Sequence, residues 1–337
     1  MHLLGKSKCR LISSDSEASL SFAVSQLLAL RLCSITSSKF SNKETSVVVN
    51  ESVRGANVFV FQNQCKPAND SLMEILSVIQ TCMLCSADRI TAILPYMPYT
   101  SLHHAQQRSV NLQLIVKLLR KAGASQIITL EMDTFDAQCR LELPVENLTI
   151  TDELCSWFRN NFSNLTEHCF VSLQKAEHSS AQNLANSLGC GFAVFQTNFL
   201  DGESDLKNNS SDEIQLVRCI EGKTAVLVEG VSDDGYGLCM AAKSILEMGA
   251  KAIYAVVIHG TFTYDGLHRL SDSPITRIVT TNSVDQSENL QICPKLQCLD
   301  VSIHFASAIA RIHNNSISED PAGGCDDATP LSGDNVT

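Results

Sequence analysis

The chain has 337 residues, with 25 Lys and Arg against 36 Asp and Glu, for a formal net charge of -11 at pH 7. That length can bury two cores of ordinary size, so two domains are expected. The acidic balance argues against an extended surface for a phosphate backbone, so no nucleic acid is expected as a partner, although a local nucleotide pocket remains compatible with it.

No uninterrupted apolar run approaches the length of a bilayer crossing, and the stretch Met1 to Lys8 carries no apolar signal segment. A cytoplasmic protein without membrane attachment is the expectation. The 14 cysteines are scattered, and many sit in apolar periodic segments. Cys82 and Cys85 form a CxxC, but no second pair completes a four-ligand zinc site, and helical thiols, buried or partly buried, are the plain reading.

In chain order, residues 8–12 and 31–36 are predicted strands around a helix over 17–30. Residues 56–62 form a stronger strand, followed by a helix whose apolar face is Leu72, Ile75, Leu76 and Ile79, with Asn69 or Asp70 as its cap. A strand over 90–94, a helix over 109–122 and a strand over 126–130 follow. The second half repeats this alternation. Its strands are predicted at 168–172, 191–195, 224–229, 251–257, 277–281 and 297–301, and its helices at 151–158, 177–188 and 236–247, the last stopped by Gly249. Alternating strands and helices imply crossover connections and parallel sheets buried on both faces. Residues 199–216 are a polar interval expected to be a surface loop, and 320–337 an acidic tail without a core. The domains are expected at 8–149, completed by a helix over 303–314, and at 150–302.

The most informative stretch is KTAVLVEGVSDDGYGLCMAA at 223–242. An apolar strand ends in an acid, passes through a small polar loop and enters a helix, a junction suited to a phosphate or a nucleotide.

Several separated motifs carry a resemblance. They are KFSNKET at 39–45, NDSLMEIL at 69–76, AILPYMPY at 92–99, GASQIITLEM at 123–132 and LPVENL at 143–148. AVLVEG at 225–230, HGTF at 259–262, TTNSV at 280–284 and ARIHNNSIS at 310–318 continue the series. In this order and spacing the chain resembles the ribose-phosphate diphosphokinases, or phosphoribosyl-pyrophosphate synthetases, over roughly residues 8–317, and most of all their noncatalytic associated proteins. The resemblance implies an α/β fold of two type-I phosphoribosyltransferase-like domains with largely parallel central sheets. It also implies homo- or hetero-oligomers containing catalytic synthetase subunits. Catalytic relatives transfer pyrophosphate from ATP to ribose 5-phosphate with magnesium.

Against that family pattern the chain has lost its cations. Ser101 stands where the nucleotide-contacting segment carries an arginine, with His103 beside it. The magnesium motif falls on Glu131-Met132-Asp133, which keeps two oxygen ligands for a residual metal site. In the middle phosphate region Gln174 replaces an aspartate, and Ser179 and Ser180 replace a Lys-Arg pair. Thr197 and Phe199 occupy the lysine and arginine positions of the catalytic arm, leaving no cation there for a phosphoryl transition state. In the signature that binds the activated sugar, Glu229-Gly230 replaces two acids, and Asp233-Asp234-Gly235-Tyr236-Gly237 replaces the phosphate cradle. The reading that follows is a noncatalytic regulatory or structural partner of the synthetase, with no cofactor expected beyond residual magnesium. The alternatives are a divergent magnesium-dependent diphosphokinase using Glu131, Asp133, Glu229 and Asp233, and a nucleotide or sugar-phosphate sensor.

Overall fold

The computed structural model describes residues 8–13, 19–63, 67–99, 111–132, 141–173, 178–195 and 220–318. Most of the first half is one six-stranded parallel sheet. Its strands are β1 (Cys9–Ser13), β2 (Leu32–Cys33), β5 (Asn57–Phe61), β6 (Arg89–Leu94), β7 (Gln126–Leu130) and β8 (Val145–Leu148), in the order β2-β1-β5-β6-β7-β8. The second half builds another. There β9 (His168–Ser172), β10 (Gly191–Val194), β11 (Thr224–Ser232), β12 (Ala252–Gly260), β13 (Arg277–Thr281) and β14 (Leu296–Leu299) run β10-β9-β11-β12-β13-β14, again all parallel. Numbered within each sheet, both orders are 2-1-3-4-5-6, so the two halves reuse one architecture.

This arrangement explains the unbroken apolar strand sequences. Asn57–Phe61, Gln126–Leu130 and His168–Ser172 are buried at every position because helices cover both sheet faces. On the outer face of the first sheet lie α2 (Ala68–Leu84) and α3 (Asn111–Ala122), packed with Val58, Val60, Ile79 and Leu119. On the outer face of the second lie α6 (Tyr236–Glu247) and α7 (Tyr264–Asp272), packed with Leu227, Ile245 and Leu270. Between the sheets, α1 (Ser19–Leu28), α4 (Thr151–Asn161), α5 (His178–Leu188) and α9 (Ser302–Ser318) contribute to one shared core with Phe61, Phe158, Phe170 and Phe305. Phe61 and Phe305 meet edge to face with centroids 5.6 Å apart. The last helix packs along α1, and its fully buried His313 lies 3.3 Å from Asn57 through Nδ1.

Three expectations change. The predicted strand over 31–36 is divided: β2 joins the sheet, while β3 (Ile35–Lys39) pairs antiparallel with β4 (Thr45–Val49) in a separate hairpin. Neither Asn69 nor Asp70 caps α2, which begins after Pro67 without a side-chain cap. Asn69 instead accepts from the Tyr99 hydroxyl and Asp70 pairs with Lys39 at 2.8 Å, so both carboxamide and carboxylate are drawn to tertiary partners. The CxxC divides as well, with Cys82 fully buried and Cys85 exposed, both as free thiols. The predicted loop over 199–216 and the tail over 320–337 lie outside the described residues.

Candidate functional site

In an open parallel sheet, ligands bind beyond the carboxyl ends of the strands where the strand order reverses. In the second sheet that point lies between β9 and β11, whose register sets Val228 opposite Ser172. The sequence-predicted sugar-phosphate segment that follows β11 therefore begins at this switch point.

Glu229 sits on β11 with 8% exposure. Burial pushes its carboxyl up to about 7, opposed by a hydrogen bond from Ser232 and reinforced by the Asp234 charge. Its Oε2 has no hydrogen-bond partner. The neighbouring position, Gly230, contributes no side chain. Gly230, Glu131 and Ser180 line one cavity of about 40 Å³ with Thr151, Leu154, Leu184, Val228 and Ile258. That space suits water rather than a sugar phosphate.

Glu131, expected as a metal ligand, is occupied otherwise. It follows β7 with φ 42°, and its Oε1 accepts the Ile150 backbone N–H at 2.8 Å, holding the entry to α4. Among the described residues no three His, Cys, Asp or Glu side chains converge as a metal site. Asp133, Ser101, His103, Gln174, Thr197 and Phe199 lie outside the described residues, as does the Ser179 side chain. Ser180 is exposed on α5.

The cradle itself is well defined. Gly235 is the N-cap of α6 with φ 63°, a left-handed conformation that favours glycine. Asp234 Oδ1 accepts the Tyr236 backbone N–H at 2.9 Å, an Asx turn at the helix start. Arg269, from α7, donates to the Asp234 carbonyl and lies 3.8 Å from Asp234 Oδ2. Its guanidinium is 5.8 Å from the centroid of the Tyr236 ring. Tyr236 is half-exposed, so its bulk turns outward from the loop. Asp233 anchors the loop through its carbonyl, which accepts the Thr263 N–H at 2.8 Å. Gly266 makes this approach possible, because a Cβ there would meet the Asp233 carbonyl oxygen at 2.8 Å. Gly237 leaves the first turn of α6 open above Glu229, whose Oε1 lies 3.9 Å from the position a Cβ would occupy.

Two residues escape sequence reasoning. Arg269 is 35 positions from Asp234 on a separate helix, so nothing local joins the two. His259 belongs to the HGTF motif, but nothing local gives its role. Its Nε2 lies 3.0 Å from the Leu130 carbonyl at the end of the first sheet's β7, and its Nδ1 lies 2.8 Å from Ser283 Oγ. A carbonyl only accepts, so Nε2 carries the proton and Nδ1 accepts from Ser283. The ring also lies 5.3 Å from that of Tyr96. His259 thus ties the second sheet to the first, and burial pushes its pKa down to about 4.

Two doubly wound parallel sheets, with a strand–loop–helix cradle at the switch point, define a phosphoribosyltransferase-like protein of the type-I class. The N-terminal domain of ribose phosphate pyrophosphokinase matches residues 9–123, and the phosphoribosyl synthetase-associated domain matches residues 203–319. Phosphoribosylpyrophosphate synthetase from Mycobacterium smegmatis superposes with a TM-score of 0.81 at 26% identity, covering 91% of this chain and 99% of that one. A D-isomer specific 2-hydroxyacid dehydrogenase from Lactobacillus delbrueckii ssp. bulgaricus aligns over 93% of this chain and 99% of its own, at 10% identity and a TM-score of 0.34. The chain belongs to the ribose-phosphate pyrophosphokinase, or phosphoribosyl-pyrophosphate synthetase, superfamily. Enzyme and associated domain are both named among the matches, so membership holds at the level of the superfamily.

Proposed function

We propose that this chain is a noncatalytic, cytoplasmic partner of phosphoribosyl-pyrophosphate synthetase, regulating or stabilising catalytic subunits by joining their oligomer. One observation carries the reading: the acid pair of the sugar-phosphate signature is reduced to Glu229 beside Gly230, and that lone carboxyl is buried and pushed towards the neutral form. A protonated carboxyl neither holds magnesium nor counters a developing charge well. The missing cations at Ser101, Thr197 and Phe199 act in the same direction. The inherited scaffold supports assembly at subunit faces, and no cofactor belongs to this role. Reconstitution with an active synthetase, measuring particle mass and product in the same samples, tests it. A heteromeric particle with altered turnover is expected; two separate species at physiological concentrations defeat the assignment.

The match across nearly the whole synthetase from Mycobacterium smegmatis favours a second reading, a divergent magnesium-dependent diphosphokinase. Glu131, Asp133, Glu229 and Asp233 would supply its oxygen ligands, Glu131 while its Oε1 accepts the Ile150 N–H. Metal-dependent product from ATP and ribose 5-phosphate, formed by the purified chain alone, would establish this reading over the first.

A further inference from the structure

Helix α3 is apolar on two sides. Leu112, Ile115, Val116 and Leu119 turn to the core of the first sheet and are buried. Leu114 and Leu118, one turn apart, stay 54% and 38% exposed on its other side. A surface helix gives that side to polar residues, so apolar residues all round mark a helix that something covers. The adjoining end of α2 extends the same face. Met83 and Leu84 are 41% and 72% exposed, and a Cβ at Gly123, just past α3, would meet Met83 Sδ at 2.8 Å. Gly123 thus lets the Met83 thioether lie against the end of α3 and joins the two helices into one apolar surface. Exposed leucines scattered singly need no explanation, whereas large apolar side chains gathered on adjoining helix ends mark an interaction site.

The charges around this face select its partner. The segment Asn111–Ala122 carries Lys117, Arg120 and Lys121 and no acid, and the last turn of α2 is uncharged. Lys117 and Arg120 share the single carboxylate of Glu142, at 3.8 and 2.9 Å, and Lys121 makes no ion pair among the described residues. The helix face is therefore basic, although the chain as a whole has a net charge of -11. A second copy laid face to face on it would bring the same cations again, with only another Glu142 to answer them. An apolar surface flanked by acids fits instead, because its carboxylates would meet Lys121 and relieve the crowding of Lys117 and Arg120 on Glu142. We infer that α3 and the end of α2 form the docking face for a different polypeptide, one that presents an apolar helix flanked by Asp and Glu. The inference rests on the proposed role as a subunit partner and names the surface through which that role is exercised.

Analytical ultracentrifugation of the full chain with an active synthetase, at several ionic strengths, tests this. Leu114→Ser and Leu118→Ser remove exposed apolar atoms without opening the core, and each should weaken the mixed particle roughly tenfold. Lys121→Glu should weaken it most at low salt and flatten its salt dependence. Leu246→Ser, on the last turn of α6 and 45% exposed, removes a leucine from another helix and should leave the particle unchanged. Thermal melts of each variant alone check that it is folded, and Lys121→Glu, on the surface, keeps the test open if a leucine variant is not. A mixed particle that forms equally well with all three face variants would overturn the inference and leave the subunit role standing. A homo-oligomer of the chain alone that the leucine variants dissolve would place a second copy on this face and overturn it too. Failure of the unaltered chain to form any mixed particle would remove both the inference and the role.

Discussion

Glu229 and His259 are buried on neighbouring strands with pKa displacements of opposite sense, and this makes the pH dependence of stability a sharp test. His259 is held near 4, against an ordinary value of 6.5, by burial. Between those values the unfolded chain binds the extra proton, so this group's stabilisation is complete above 6.5 and is lost as pH falls towards 4. Glu229 is raised to about 7 from an ordinary 4.5, also by burial. There the folded chain binds the extra proton, so its contribution is complete below 4.5 and is lost as pH rises through 7. Each slope is about 1.4 kcal/mol per pH unit, and each group spans about 3 kcal/mol in total. From pH 4.5 to 6.5 the two slopes oppose and nearly cancel.

Glu229→Gln should therefore match the unaltered chain near pH 4 and exceed it by about 3 kcal/mol at pH 8. His259→Gln should lose stability at pH 8, because the Leu130 carbonyl and the Ser283 hydroxyl give up buried partners, by about 2–4 kcal/mol. That deficit should shrink by about 3 kcal/mol as pH approaches 4. Urea unfolding at half-unit pH steps measures both, with Trp157 as the single tryptophan reporter, buried among Phe158 and Phe162. Differences from the unaltered chain isolate each group from other titrations. Variant curves parallel to the unaltered one between pH 4.5 and 8 would refute the assigned environments.

Three further outcomes follow from the geometry. Glu131→Ala should cost about 1–2 kcal/mol by leaving the Ile150 N–H without its acceptor, while Glu131→Gln should be nearly neutral; urea midpoints distinguish a cap from a metal ligand, whose loss would register only when magnesium is present. Gly266→Ala should destabilise the chain by about 1–3 kcal/mol, because the new Cβ meets the Asp233 carbonyl oxygen at 2.8 Å, and thermal melts should show it. Peptide-mapped thiol labelling at pH 8 should modify Cys85 in the folded chain and reach Cys82 only after denaturation, since Cys82 is fully buried and burial pushes it up to about 12.

The parts of this fold legible in the sequence are those whose pattern has a local cause. Strands at 126–130, 168–172 and 277–281 and the helix at 236–247 are found where apolar runs and periodicity place them. The hairpin at 35–49 escapes because ITSSK is mostly exposed and carries no alternation, and because Lys43 takes a φ of 72° where a glycine would have announced a turn. Helix 264–272 escapes because Gly266 sits in its first turn, although Thr263 caps it from the preceding residue. The same division governs the site. Glu229, Gly230 and the 233–237 loop are readable as one contiguous junction, and the topology sets them at the strand-order reversal. What the junction does depends on Arg269, Thr263 and Gly266, which reach it from another helix, and on Glu131, which the family resemblance nominates for a metal and tertiary structure also uses to hold Ile150. Loss of an acid or a cation can be read from residue type alone. The turn that Asp234 makes cannot, because its oxygens meet the Tyr236 N–H and face Arg269 only once a second helix is folded against the loop.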